Sequence, residues 1–313
     1  MQGTMDRRSL LVRMVGALLL GRALPAFAAT EGGNFRFVYD DPAMRDRFFL
    51  FLQNVFHLYP EAEFHQAIID LCAKSSDDRE IYLELQAQLA QIAPLGSSIT
   101  YAMPALNKQK EEMATQAASL LSGRSAIDGY VEIGTTGRYV SPLRKVLPLS
   151  GQVVLVNDVA PGFGPVDLLE RGRVRKIGRF VPLGDYDPID PAVVPDGSVD
   201  LVSSFIGFHH CPDGRLEGFV DSIRRVLRPG GGLIVREHDV DDAAMDTFVA
   251  LGHDVFNAGV AVTWEENAKQ IRGFRSVSDW TALLEADGFR RQEGAALQAH
   301  DPTDNTLISF VKA

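Results

Sequence analysis

Two short words gather most of the side chains able to move protons or hold metals. "FIGFHHCPD" carries His209 and His210, and "IVREHD" carries Glu237, His238 and Asp239. Imidazole and carboxylate are the usual ligands of zinc and non-haem iron. An imidazole facing a pocket also titrates where a general base is useful. His238 and His210 are therefore the candidate catalytic bases, and His209, His210, His238 and Asp239 are the candidate metal ligands. A second set suits a nucleoside. In "VEIGTTGR", an apolar run enters a turn at Gly134 and Gly137 and leaves in a helix, so that backbone N–H groups can face an anion. "VVLVND" ends in Asp158, about twenty residues beyond the glycines, where nucleoside-binding α/β folds place an acid on the ribose hydroxyls. "RFVPLGDYDP" ends in Gly184-Asp185.

The elements that must position these residues are legible as changes of texture. From Asp128 onward, "GYVEI", "QVVLVND", "RFVPL", "VDLVSSF" and "GLIVRE" are short apolar runs, separated by turns and helical stretches such as "SPLRKVLPL" and "GRLEGFVDSIRRVLRPGG". Strands alternating with helices predict an α/β fold with a parallel sheet covered on both faces. The Arg-Pro-Gly-Gly of the second helical stretch reads as a helix stop leading into the fifth strand. Two last runs, "RRQEGAALQA" and "NTLISFVKA", are joined by Asp301-Pro302-Thr303-Asp304 and must pair antiparallel. In open parallel sheets ligands settle beyond the carboxyl ends of the strands, which is where all the candidate residues fall.

Residues from about 40 to 122 read as helices instead. "DPAMRDRFFLFLQNVFHLY" offers Asp40 or Asp41 as a cap, Pro42 in the first turn, and Phe48, Phe51, Leu52, Val55 and Phe56 at three-to-four spacing. "EAEFHQAIIDLCAKS", "DDREIYLELQAQLAQI" and "NKQKEEMATQAASLLSG" repeat the pattern, with a break at Pro94-Leu95-Gly96. His57 and His65 lie in these helices as packing histidines.

The 313 residues are 46% hydrophobic, enough for a large core, and carry a formal charge of −10. Without a basic stripe to release counterions, nucleic acid is not an expected partner. Cys72 and Cys211 read as two isolated thiols, with neither metal spacing nor a disulfide framework. The N-terminus is a separate unit. Arg7-Arg8-Ser9-Leu10-Leu11, a short apolar run from Met14 to Leu20 and the small-residue pattern Ala26-Phe27-Ala28 resemble a twin-arginine export signal, with Asp6 where that pattern prefers Ser or Thr. An organelle transit peptide and a later start at Met14 are the alternatives. The run is too short to span a bilayer, so no integral membrane segment is expected. Cleavage after Ala28 removes four Arg and one Asp and takes the charge from −10 to −13. The expected organisation is a signal over 1–28, with a periplasmic or exported mature protein, a helical cap over 30–123 and an α/β domain over 125–313.

From about Ser125 onward the chain resembles the class I S-adenosylmethionine-dependent methyltransferases of the small-molecule type. The words that carry the resemblance are "VEIGTTG", "VND", "GDYD", "PDGSVDLVSSFIGFHHCPD", "RVLRPGGGLIVREHD" and "LLEADGF". It implies a Rossmann-like, mostly parallel seven-stranded sheet of order 3-2-1-4-5-7-6, S-adenosyl-L-methionine as cofactor and a small-molecule methyl acceptor, roofed by the preceding helices. It places Glu132, Gly134 and Gly137 along the methionine part, Asp158 on the ribose, Asp185 on the adenine amino group, and Phe205 or Ile206 beside the sulfonium. It also implies no metal, since histidines at the "FHHCPD" position are common in such proteins without one. The departure is the turn. The family's Gly-x-Gly-x-Gly reads Gly134-Thr135-Thr136-Gly137-Arg138 here, with Thr136 at the middle position; a positive φ there would strain it by ~1–3 kcal/mol. Thr135 and Thr136 can supply hydroxyls and Arg138 a fork for a carboxylate. The altered turn and the export signal, set against a cofactor made in the cytosol, motivate an alternative to the expected methyltransferase: an exported protein of this fold that has lost methyl transfer and binds a metal or another small ligand, or acts as a scaffold.

Overall fold

The computed structural model describes residues 33–93, 103–121, 123–164, 167–168, 171–175, 177–205 and 207–313. The signal-like segment 1–28, the break at 94–96 and Ile206 lie outside the described residues.

Short acidic side chains start the helices of the first half. α1 (Gly33–Tyr39) precedes the periodic run, and the Asp78 carboxylate accepts from the N–H groups of Asn34 and Phe35 at its first turn. Asp41 caps α2 (Pro42–Phe51), accepting from Ala43 and Met44 N–H, with Pro42 where its missing donor costs nothing. The chain then makes a π-helical turn over Leu52–Phe56 that ends at His57 with φ 43°. α3 (Glu61–Cys72) and α4 (Asp78–Ile92) follow, the latter capped by Asp77. Their apolar faces, including Phe48, Phe64, Ile68 and Tyr82, close one core, and each buried large side chain there contributes about 1.5–3 kcal/mol. His65 packs in it, its Nδ1 at 3.1 Å from the Tyr39 hydroxyl. Cys72 sits in this core and Cys211 in the sheet core; both are free, buried thiols pushed up to about 12 by burial.

α5 (Met103–Leu120) packs elsewhere. Its Met113, Ala114 and Ala117 lie against Ile127 and Tyr130 of the sheet.

The sheet is built from β1 (Ile127–Ile133), β2 (Leu149–Asn157), β3 (Arg179–Pro182), β4 (Val199–Ser204) and β5 (Leu227–His238), all parallel, with α6 (Val140–Val146) after β1 and α7 (Asp213–Val226) before β5. After β5 come α8 (Ala243–Gly259), capped by Asp242, a short α9 (Trp264–Asn267) and α10 (Val277–Ala286), capped by Ser276. β6 (Phe289–Arg291), β7 (Ala296–Leu297) and β8 (Asn305–Lys312) complete the chain. The order is β3-β2-β1-β4-β5-β8-β6, with β7 also on β8 and every pairing of β8 antiparallel. This is the expected Rossmann-like order, with the predicted sixth strand divided into β6 and β7. The Arg-Pro-Gly-Gly segment differs from expectation. The helix stops at Val226, and Leu227 already pairs with Val199 in the strand. The register then shifts before Leu201 meets Gly232, so the Pro-Gly-Gly forms an irregularity inside β5 rather than a linker before it.

α8 follows the five parallel strands in sequence, yet its Phe248, Leu251 and Val255 belong to the core of the N-terminal helices. That helix joins the two halves of the molecule.

Candidate functional site

The turn after β1 is organised by its own side chains. Gly134 and Gly137 take the positive φ angles, 84° and 99°, while Thr135, Thr136 and Arg138 do not. The conformational demand has moved from the middle position to 137, where the displaced glycine stands, and Thr136 is left unstrained and half-buried. Thr135 is buried. Its hydroxyl donates to Glu132 and accepts from the N–H groups of Gly137 and Arg138, both at 3.2 Å. Glu132 is fully buried and also accepts from Tyr139 N–H at 3.3 Å and the Tyr130 hydroxyl at 3.1 Å. Burial raises its carboxyl above the ordinary range against the pull of these donors. Glu132, placed by resemblance on a ligand, thus serves as the anchor of the turn.

Asp158 is exposed just beyond the end of β2, and among the described residues no donor faces its carboxylate. Burial of one side of the group, then the nearby charge of Asp185, raises its pKa. The two acids therefore share one rim, as their placement at successive strand ends predicts. Asp185 stands in a left-handed run with φ near 60° at Gly184, Asp185 and Tyr186. A left-handed conformation costs ordinary residues about 1–2 kcal/mol each, and such strain persists only where surroundings enforce it. Here the buried Tyr186 ring packs edge-on against Phe219 at 5.2 Å, and Arg215 lies 3.7 Å from the Asp185 carboxylate. Phe205 is buried with its ring against Tyr139 at 4.6 Å.

At the ends of β4 and β5, four imidazoles meet. His209 and His210 leave β4, His238 ends β5, and His253 comes down from α8. Ring centroids are 4.3 Å apart for His209 and His210, and 5.3 Å from each of those to His253. His238 lies 5.5 Å from His209 and 5.6 Å from His253. Three of the rings are pinned through Nδ1: His209 to Glu237 at 2.8 Å, His210 to the Ile271 carbonyl at 3.0 Å and His238 to the Thr303 carbonyl at 2.9 Å. A carbonyl only accepts, so His210 and His238 carry their proton on Nδ1, and their Nε2 atoms are acceptors. The Thr303 carbonyl is itself fixed by the Asp301-Pro302-Thr303-Asp304 turn, where Asp301 accepts from the Thr303 N–H and hydroxyl.

Burial keeps this cluster neutral. It lowers His209 and His238 to about 3, the first helped by Arg272 and the second by His209. It also lowers His210 and His253 well below the ordinary range, with neighbouring imidazoles adding to the effect. Glu237 is pushed up to about 8 by burial, against the N–H groups of Phe208 and His209. Gly207 makes this packing possible. At φ 91°, a Cβ there would lie 2.5 Å from the His209 ring and 2.9 Å from Glu237.

Asp239 is not part of the cluster. It is exposed and accepts from the Val277 N–H at 2.7 Å, which starts α10, so its place in the predicted ligand set is corrected: the chain turns outward after His238. His253 takes that place. Nothing local in "ALGHDVFN" marks it, since fifteen residues and a change of element separate it from His238.

Residues 131–235, from β1 to β5, match a family model described as a methyltransferase domain. The match takes in the Gly turn, Asp158, Asp185, His209 and His210, and ends before His238, His253 and the helix that carries it. No curated protein matches the sequence significantly. Solved structures similar to the chain include a Burkholderia thailandensis 1,6-didemethyltoxoflavin-N1-methyltransferase with bound 1,6-didemethyltoxoflavin and S-adenosylhomocysteine, 15% identical over 65% of this chain and 78% of that one, TM-score 0.43. A mitomycin 7-O-methyltransferase is 18% identical over 88% and 73%, TM-score 0.44. The [4+2]-cyclase SpnF is 12% identical over 64% and 80%, TM-score 0.41.

Proposed function

We propose that the protein transfers a methyl group from S-adenosyl-L-methionine to a small-molecule acceptor. The observation that carries the reading is the methyltransferase-domain rim itself, with Asp158 at the end of β2 facing no donor among the described residues and Asp185 beside it. An unpaired carboxylate at that strand end fits a vicinal diol, whose two hydroxyls would supply the donors it lacks. Asp185 would take the adenine edge, and Phe205 the apolar surface beside the methyl carbon. The cofactor supplies an electrophilic methyl on a sulfonium. The chain's part is to hold the acceptor in line and exclude water, with the Nε2 of His238 or His210 receiving a proton if the acceptor carries one. α8 and the helices behind it roof that space.

Titration of the full chain with S-adenosylmethionine and S-adenosylhomocysteine tests the reading. Binding is expected, with a thermal shift equivalent to ~2.7 kcal/mol at 100-fold excess over the dissociation constant. Asp158→Ala should weaken binding at least tenfold at unchanged melting temperature. Neither heat nor a shift at millimolar ligand ends it.

A second reading is favoured by the turn after β1, where Thr135 occupies the Gly137 and Arg138 donors that an anionic ligand would use. On that reading the domain retains its shape without methyl transfer, and a silent cofactor titration supports it. We further propose that the signal-like segment directs the protein out of the cytoplasm. Cell fractionation should find a mature chain beginning near Ala29, and replacing Arg7 and Arg8 by Lys should retain the precursor; an uncut cytoplasmic chain overturns this.

A further inference from the structure

We propose that His209, His210 and His253 bind a divalent transition-metal ion of the zinc class, with Glu237 bracing His209 from behind. One ligand atom from each of the three lies within 4.8 Å of the others. Nitrogens bound to zinc at about 2.0–2.1 Å stand roughly 3.4 Å apart in a tetrahedron, so the set needs to contract by little more than an ångström. His253 is the half-buried member on a separate helix, and it is placed to make that movement.

Three further observations point to a ligand. The His209 side chain is 3% exposed, and its Nε2 has no hydrogen-bond partner among the described residues, an expensive arrangement for a buried polar atom. That same ring is held through Nδ1 by a carboxylate, and His210 through Nδ1 by a carbonyl. This outer support is what orients metal-bound histidines and fixes the tautomer that frees Nε2. Finally, Glu237 is buried against that ring and also accepts from the Phe208 N–H, and a cation at Nε2 would draw out the carboxylate form that braces the imidazole. Arg272 adds positive charge nearby, but it is bound at 2.7 Å by the buried Asp254 carboxylate.

The donor set selects the metal. Three imidazoles without carboxylate suit zinc, copper, iron or nickel and not magnesium or calcium. Cys211 does not enter the set, because its Sγ faces the Pro212 carbonyl at 3.5 Å. Three protein ligands leave a fourth position for water or for an oxygen of a bound molecule, as in catalytic rather than structural zinc sites. His238 lies outside the set, its ring 5.5 Å from His209 and 5.6 Å from His253, with Asn305 Nδ2 3.5 Å from its Nε2. Metal binding removes His210 from proton transfer and leaves that task to His238.

The test uses the full chain without a polyhistidine tag, stripped with chelator and titrated with Co(II), Zn(II) and Mg(II). One equivalent of Co(II) should bind with the intense visible absorption of a four- or five-coordinate site and be displaced by Zn(II), with no response to Mg(II). His209→Gln and His253→Gln should each abolish that spectrum, and Glu237→Gln should weaken the affinity about 10–100-fold. His253→Gln, at the half-buried position, provides a folded variant if the buried ones fail, as checked by circular dichroism of the metal-free protein. The proposal is overturned if the stripped wild type binds neither ion at millimolar concentration, or if stoichiometric binding survives His253→Gln. These readouts need no S-adenosylmethionine, so they stand or fall apart from methyl transfer.

Discussion

Thr135 carries the turn after β1 through one hydroxyl that donates to Glu132 and accepts from two N–H groups. Thr135→Val keeps the shape and deletes the hydroxyl, leaving buried Glu132 short of a donor and two amides short of an acceptor. Chemical denaturation should register a loss of about 1–3 kcal/mol; an unchanged midpoint would show that water replaces the hydroxyl. Asp78 gives a pH signature remote from the histidines. Burial raises its carboxyl from 3.8 to about 6, opposed by the Asn34 and Phe35 N–H groups and reinforced by Asp254 and Asp77. The folded chain holds this proton more tightly than the unfolded one, so the stabilisation is complete below about pH 4 and is lost as pH rises through about 6. Asp78→Asn should flatten the melting temperature over that window, and parallel profiles would refute the assignment. At this scale the sequence was read unevenly. Asp158 and Asp185 announced themselves by their strand-end positions. Thr135 did not, because a substitution away from a family glycine looks like damage until its hydroxyl is seen closing the turn.

Among the elements, α8 is the one whose placement matters most, because it delivers His253. The side chain next along, Asp254, fixes it. Its carboxylate accepts from Asn34 of α1 at 2.9 Å, and from Asn267 and Arg272 at 2.7 Å each. Asp254→Ala takes the carboxylate from a half-buried guanidinium that keeps only the Ala250 carbonyl and Asn267, and the expected cost is about 3 kcal/mol, read as a fall in urea midpoint at constant slope, together with weaker Co(II) binding. A normal midpoint would mean that Arg272 finds another partner. Element boundaries were legible where a cap marks them, as at Asp41. They were misread at Arg-Pro-Gly-Gly, because propensity ends a helix there while pairing with β4 had already begun the strand.

For the whole molecule, alternation of apolar runs with helices was enough to predict the sheet and its closing hairpin, since period and connection length depend on local sequence. The meeting of His253 with His209 and His210 was not, since nothing along the chain encodes which helix folds over which strand end. No helix among the described residues is long and apolar enough to cross a membrane. The helix α8 also decides how the protein comes apart. Its Phe248, Val249, Leu251 and Val255 are inserted among residues contributed two hundred positions earlier, while its other end is tied to β5. Neither half can melt without stripping the other of this shared piece, so calorimetry should record a single cooperative peak with equal calorimetric and van't Hoff enthalpies. Cutting away residues 33–93 to obtain a minimal α/β core should instead yield an aggregating fragment with a naked greasy helix.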